Sequence, residues 1–318
     1  MLSIARNSSR KSFGLLSLAV LTGAFLALSA FQVLWAAETP AQKTFETPKM
    51  AAKALINAAK ANDTKALLAI FGPDGKELVS SGNEAEDKDV RDRFVKASRQ
   101  NTLLIPGGTD RFILNVGKNR WPFPIPIVKE GNAWRFDTAS GKEELLNRRI
   151  GRNELHTMEV CRAYVLVQRE YFAKDRDGDG TLEYAQKIPS KPAEMDGLFW
   201  DVAKKGQDAP PAGPMLAAAA ETGASSKPQA PYHGYFFRIL TQQGKSAPGG
   251  EKNYVESENM TGGFALLAYP AQYGVTGITT FMVNQQGIVF EKDLGAKTDE
   301  IVKGIAKYDP DDTWAPAQ

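Results

Sequence analysis

The chain reads as an α+β protein in two successive parts: helices and a curved antiparallel sheet, then a long helix packed on a four-stranded antiparallel sheet. Three observations predict this. Apolar residues recur three and four apart through positions 48–99, the spacing of helices with one buried face. From Thr102 the texture changes to short runs rich in β-branched and aromatic residues, bounded by Gly, Pro and Asn. The succession then repeats, with an amphipathic stretch from Arg152 and four strand-like runs after Tyr232.

The first part runs over residues 45–151. Thr47 before Pro48 is an N-cap followed by proline at the first helical position, and Met50, Ala51, Ala54, Leu55, Ala58 and Ala59 form a stripe of mostly small residues. Asp63 caps a second helix that Gly72-Pro73 stops. Asn83 to Arg99 is a highly charged helix with only Val90, Phe94, Val95 and Ala97 to bury, which suits a solvated cover. Thr102 to Ile105 and Arg111 to Val116 flank a Pro-Gly-Gly turn and read as a hairpin. WPFPIPIVK, Trp121 to Lys129, alternates proline with apolar residues and suits an edge strand. Glu130-Gly131-Asn132 turns into Ala133 to Asp137, and Ser140 with Glu143 makes a capping box for a helix closed by Gly151.

The second part runs over residues 152–314. Asn153 is placed as the N-cap of its long helix, with Glu154 in the first turn. Val160, Cys161, Tyr164, Val165, Tyr171 and Phe172 share one broad apolar face, and Leu166 is out of place on the other. Gly197 to Asp201 is an aromatic turn, and residues 204–231 are a Pro-, Gly- and Ala-rich surface excursion with a short helix at Pro214 to Glu221. Tyr232 to Leu240, Gly263 to Tyr269, Gly277 to Asn284 and Gly287 to Lys292 are the strands, and Thr298 opens a final helix.

Between the long helix and the excursion lies an acidic loop, residues 175–186. Against a twelve-residue calcium loop, Asp175, Asp177 and Asp179 take positions one, three and five, Gly180 the sixth, and Thr181 the seventh, where a backbone carbonyl ligates. A hard cation needs several oxygens converging over a short span, and alternating aspartates on a tight turn supply them. Position twelve is Gln186, so the bidentate Glu is missing, and Glu183 or Gln186 would have to complete a looser site. The plain alternative is an Asp-Gly turn that stops the helix and stays solvated.

At 318 residues the chain has room for two ordinary domains. It carries 39 basic against 37 acidic residues, a balance without the electrostatic footprint of a nucleic-acid binder. One cysteine excludes an internal disulfide, and its place on the apolar helix face makes Cys161 a core residue. Residues 1–37 have the layout of an export signal: Arg6, Arg10 and Lys11, then an uncharged run from Phe13 to Ala37. That run is also long enough for a bilayer. The expectation is a periplasmic or otherwise exported protein with the signal cleaved; the alternative is an N-terminal anchor in the inner membrane with the body facing the periplasm.

GPDGKELVSSG (Gly72 to Gly82), the segment from Trp121 to Leu155, REYFAKDRDGDGTLEYAQ (Arg169 to Gln186), PYHGYFFRIL (Pro231 to Leu240) and the segment from Gly262 to Gly295 resemble the bacterial family known as domain of unknown function 2950. The resemblance spans Phe45 to Trp314. It implies an exported protein with no established activity, so no catalytic residue is carried over. In its order of elements the first part resembles the nuclear-transport-factor-like cone, a fold that often encloses a small-molecule pocket. The second part resembles the globular heads of type IV pilins and pseudopilins. Here, though, the exported segment is separated from the long helix by the whole first part, and the acidic residue that follows a prepilin cleavage site is missing.

No strong reaction motif is present: no G-x-S-x-G elbow, no H-E-x-x-H, and no glycine-rich phosphate loop after a strand. His156 and His233 are the only histidines. Helical spacing keeps His156 apart from Cys161, and His233 is expected to hydrogen-bond within its sheet. Arg148, Arg149 and Arg152 read as cations complementing a helix C-terminus. The leading functional expectation is a non-enzymatic binding or scaffold module of the cell envelope, braced by calcium, with envelope proteins as candidate partners and the membrane reached only through an uncleaved N-terminal segment. An accessory of a pilus or type II secretion assembly ranks second. An atypical hydrolase using His233 or Cys161 ranks third.

Overall fold

Side chains that cap backbone N–H groups set where each early helix begins. Thr47 accepts from the Met50 N–H at 3.2 Å and starts α1 (Pro48–Lys60). Asp63 accepts from Ala66 at 2.9 Å and starts α2 (Thr64–Phe71), which ends where Gly72 turns to φ +74°. A single helical turn, α3 (Lys76–Val79), follows, and Asn83 caps α4 (Glu84–Gln100). The computed structural model describes residues 41–176, 178–191, 194–200, 209–213 and 231–318. Residues 1–37, expected as an export segment, and the helix expected at Pro214 to Glu221 lie outside the described residues.

The first sheet holds β1 (Thr102–Pro106), β2 (Arg111–Val116), β3 (Trp121–Pro122), β4 (Ile127–Glu130) and β5 (Ala133–Phe136), in the order β1-β2-β4-β5 with β3 also on β2. The hairpin register pairs Thr102 with Val116 and Ile105 with Ile113. WPFPIPIVK is not the edge strand its prolines suggest. It breaks into β3 and β4, both along the same flank of β2, and β4 lies between β2 and β5. Pro122, Pro124 and Pro126 cannot donate to a ladder. The chain therefore leaves the ladder between the two pieces, while the Phe123 N–H still reaches Leu114 O at 2.7 Å and Pro126 O accepts from Asp137 at 2.8 Å.

The next helix corrects two sequence expectations. Its cap is Asp137, whose carboxylate accepts from the Ser140 N–H at 3.2 Å and the Ser140 hydroxyl at 2.7 Å, so the helix starts ahead of the Ser140–Glu143 box. It then runs unbroken as α5 (Thr138–Phe172), 35 residues or about 52 Å. Gly151 does not close it and Asn153 does not open another. A terminating glycine needs the left-handed backbone, which Gly151 does not adopt.

The second sheet is antiparallel throughout, in the order β14-β13-β12-β11-β6. Four members match the expected strands: β6 (Tyr235–Leu240), β11 (Ala265–Pro270), β12 (Thr279–Asn284) and β13 (Phe290–Asp293). The short β14 (Ala315–Pro316) is an addition. Two-stranded ribbons pair β7 (Gln242–Gln243) with β8 (Lys252–Asn253) and β9 (Val255–Glu256) with β10 (Asn259–Met260). A final helix, α6 (Thr298–Gly304), begins at the residue expected.

Two apolar cores result. One gathers Leu55, Ile70, Phe71, Leu114, Ile127 and Phe136 between α1, α2 and the first sheet. The other packs the apolar face of α5, including Val160, Cys161, Tyr164, Val165 and Tyr171, against Tyr235, Phe264, Leu267 and Phe281. Helical and antiparallel layers are thus segregated as an α+β fold requires. Gln168 is fully buried in the second core, with its amide donating to Ala185 O at 2.7 Å and accepting from Ala185 N–H at 2.9 Å. It ties α5 to the segment that follows the acidic loop without an orphaned polar group.

Candidate functional site

In the first part the helices and the sheet do not close completely. They leave a cavity of about 590 Å³, lined mostly by apolar groups from α1 to α4, the β2–β4 segment and Leu145 of α5, with Glu77, Ser81, Asp87, Arg91 and Arg93 as its polar members. That volume falls within the range of small-molecule pockets. Local sequence explains much of its shape. The proline-broken excursion between β3 and β4 turns Phe123 inward, where it stacks on Phe71 at 6.4 Å and meets Phe94 at 5.4 Å. Ala59 of α1 and Ala97 of α4 line the same space with single methyl groups.

The rim of the cavity carries Trp121, 46% exposed, with the Arg148 guanidinium over its ring at 5.5 Å. Arg148 also donates to Pro122 O at 2.8 Å and to Glu144 at 2.7 Å. It therefore does not complement a helix C-terminus, since α5 continues past it; it holds Trp121 in place. Arg91 is buried on the cavity wall, donating to Asn62 Oδ1 at 2.5 Å and to Val79 O at 2.6 Å. The sequence reading of α4 as a solvated cover missed Arg91. A signal was present: Arg91 stands three and four residues before Phe94 and Val95, on the buried stripe.

The acidic loop is folded on itself and docked to the β9–β10 ribbon. Asp175 accepts from the N–H groups of Gly178 at 2.7 Å and Gly180 at 3.0 Å, and Gly180 takes φ +86°, the sharp turn expected at position six. Asp179 accepts from the Thr181 N–H and from Asn259 Nδ2, both at 2.6 Å, and Glu183 accepts from the Met260 N–H at 3.1 Å. Gln186 reaches away from the loop to Glu258 O at 2.5 Å. Asp177 lies outside the described residues. Among the described residues no three acidic, histidine or cysteine side chains converge in a metal-binding group.

The histidines correct another expectation. Among the described residues His233 makes no side-chain hydrogen bond to the sheet. It sits ahead of β6 at φ +45° and stacks on His156 of α5, ring centroids 4.6 Å apart and planes within 11°. His156 Nδ1 lies 3.7 Å from Glu159, and Tyr232 meets His233 edge-on at 4.3 Å. Partial burial and then the adjacent His156 hold the His233 pKa below its ordinary value. Residues 153 and 154, expected at a helix start, instead clamp the entry to β12. Asn153 donates to Thr276 O at 2.8 Å, and Glu154 accepts from the N–H groups of Ile278 and Thr279 at 2.9 and 3.0 Å.

Cys161 is fully buried, and burial pushes its thiol pKa up to about 12, so almost no thiolate exists near neutrality. Its burial and raised pKa disfavour a nucleophilic role in this fold. Among the described residues no helix is long and apolar enough to cross a membrane.

No curated protein and no solved structure gives a significant match to the chain. One family model does, over residues 42–317, nearly the whole of the described fold. The chain belongs to the family described as protein of unknown function, DUF2950.

Proposed function

We propose that the protein is a non-enzymatic binding protein of the cell envelope, exported by its N-terminal segment, with the cavity of its helical part as the ligand seat. The observation that carries this reading is the apolar enclosure of about 590 Å³, with an aromatic floor and a tryptophan at its rim. The lining holds neither a histidine nor a cysteine, and the one thiol of the chain is buried in the other core. A ligand with a substantial apolar body is what such a space recognises, because burial of apolar surface supplies the affinity.

The test is a fluorescence titration with N-phenyl-1-naphthylamine, a neutral probe that brightens in apolar surroundings. Saturable binding at one site is expected, and Ala97→Phe, which fills the space from α4, should abolish it. A response that never saturates, or that survives in the filled variant, would overturn the reading.

A calcium brace on the acidic loop is a second reading, favoured by the left-handed turn at Gly180 and by the Asp175 carboxylate folded over it. In that reading Asp175, Asp177, Asp179 and the Thr181 carbonyl, with Glu183 or Gln186, supply oxygens. Calcium should then raise the Tm after EDTA treatment, and Asp177→Ala should cancel the rise; no shift in the native protein would end the idea.

A further inference from the structure

Building on that reading of the cavity as a ligand seat, we propose that it takes an amphipathic organic anion, a carboxylate on a linear apolar body, and that Arg91 receives the carboxylate. Arg91 is 9% exposed, lines the cavity, and belongs to the buried stripe of α4. Its two hydrogen bonds go to neutral acceptors, the Asn62 side-chain carbonyl and the Val79 backbone carbonyl. The guanidinium carries five N–H groups; these bonds use one on each terminal nitrogen, none of its nitrogens is both buried and unpartnered, and among the described residues it makes no ion pair. A buried cation without an anion is costly, and the cost is relieved when a carboxylate arrives in the same low-dielectric space.

The carboxylates that share the lining are committed elsewhere. Asp87 accepts twice from the Ser81 N–H, at 3.0 and 3.2 Å. These bonds hold its carboxyl below the usual range, and Arg91 is the weakest of the influences acting on it. Glu77 pairs with Lys142 at 3.5 Å. Arg93, also on the lining, is exposed and makes no ion pair among the described residues, which adds a second positive group near the opening. The apolar body then lies along Leu55, Leu67, Phe71, Phe123 and Ile125. No covalent chemistry is involved; the site selects by charge at one end and by apolar fit along the rest.

The experiment compares laurate with dodecanol, the same chain ending in a neutral hydroxyl, as competitors of N-phenyl-1-naphthylamine. Laurate is expected to bind about tenfold to a hundredfold more tightly, the range that a hydrogen bond to a charged group supplies. Arg91→Met should weaken laurate by about that factor and dodecanol far less, so that the preference for the acid is lost, whereas Arg91→Lys should retain part of the preference. A purely structural role for Arg91, bracing α4 to Asn62 and Val79, would weaken both competitors alike. Equal binding of acid and alcohol by the native protein would overturn the assignment while leaving the ligand seat intact, and this comparison needs no variant to fold. Failure of the neutral probe to bind would overturn both.

Discussion

Two glycines of α5 should respond in opposite directions to the same substitution, which tests the unbroken helix and the packing at its start together. Around Gly151 an added Cβ would meet nothing within 4 Å. If this position is ordinary helix interior, Gly151→Ala gains the difference in helix preference, about 0.5–1 kcal/mol, or a rise in Tm of about 1–4 °C. Around Gly141 the Cβ would lie 2.5 Å from Ile125 Cγ1 and 3.0 Å from Ile125 Cβ. Ile125 is buried and β-branched, so it has little freedom to yield. Overpacking of this kind costs about 1–3 kcal/mol, against the same helix gain. The helix terms cancel between the two variants, so their difference isolates the Ile125 clash. Denaturant unfolding of native, Gly151→Ala and Gly141→Ala proteins should place Gly151→Ala above the native protein and at least about 1 kcal/mol above Gly141→Ala. Loss of stability in Gly151→Ala would mean that the helix bends or ends there, and equal stability of the two variants would mean that the contact with Ile125 is not tight.

The stacked histidines make stability depend on pH. The folded state holds the His233 pKa below the value near 6.5 of an unfolded chain, so its contribution is complete above about pH 6.5 and is lost as pH falls through the folded pKa. His233→Asn, which suits φ +45°, should flatten that part of the Tm profile; an unchanged profile would show that the stack does not govern it, with His156 and Glu159 the remaining groups to test. The Cys161 thiol should resist alkylation in the native protein at neutral pH and react only under unfolding conditions, because burial holds its pKa near 12. Rapid modification of the native protein, followed by mass spectrometry, would contradict that burial.

Features written by near neighbours in the chain were legible in the sequence. Thr47, Asp63 and Asn83 announce their helices because capping is a contact across three residues. The apolar stripe of α5 from Val160 onward is likewise local, since 3.6-residue periodicity states which face is buried before the partner is known. The misplacements share another cause. Ser140 with Glu143 and Asn153 with Glu154 satisfy the same capping rules as true caps, and only distant chain shows otherwise: Thr276 and Ile278, more than a hundred residues away, claim Asn153 and Glu154. The proline-rich segment was misjudged for the same reason. Its prolines do interrupt hydrogen bonding, but β2 and β5 still flank the short piece that remains.

The candidate site lies beyond that horizon by its nature. A cavity is a place where side chains fail to meet, and no periodicity records a failure to meet. Phe71, Phe94 and Phe123 come from three separate elements, and each looks in the sequence like an ordinary core residue. Arg91 could be singled out as a charge on an apolar stripe, yet whether a carboxylate answers it depends on where Asp87 and Glu77 find their own partners. The same holds for His156 and His233, which lie 77 positions apart and meet because the chain returns across α5 on its way into β6. In this protein the local grammar of caps and stripes builds the walls, and the chemistry lies in what those walls leave unpaired. The acid-against-alcohol comparison at Arg91 is for that reason a sharper probe of function than any substitution in the cores: it asks about a buried charge that makes no ion pair among the described residues.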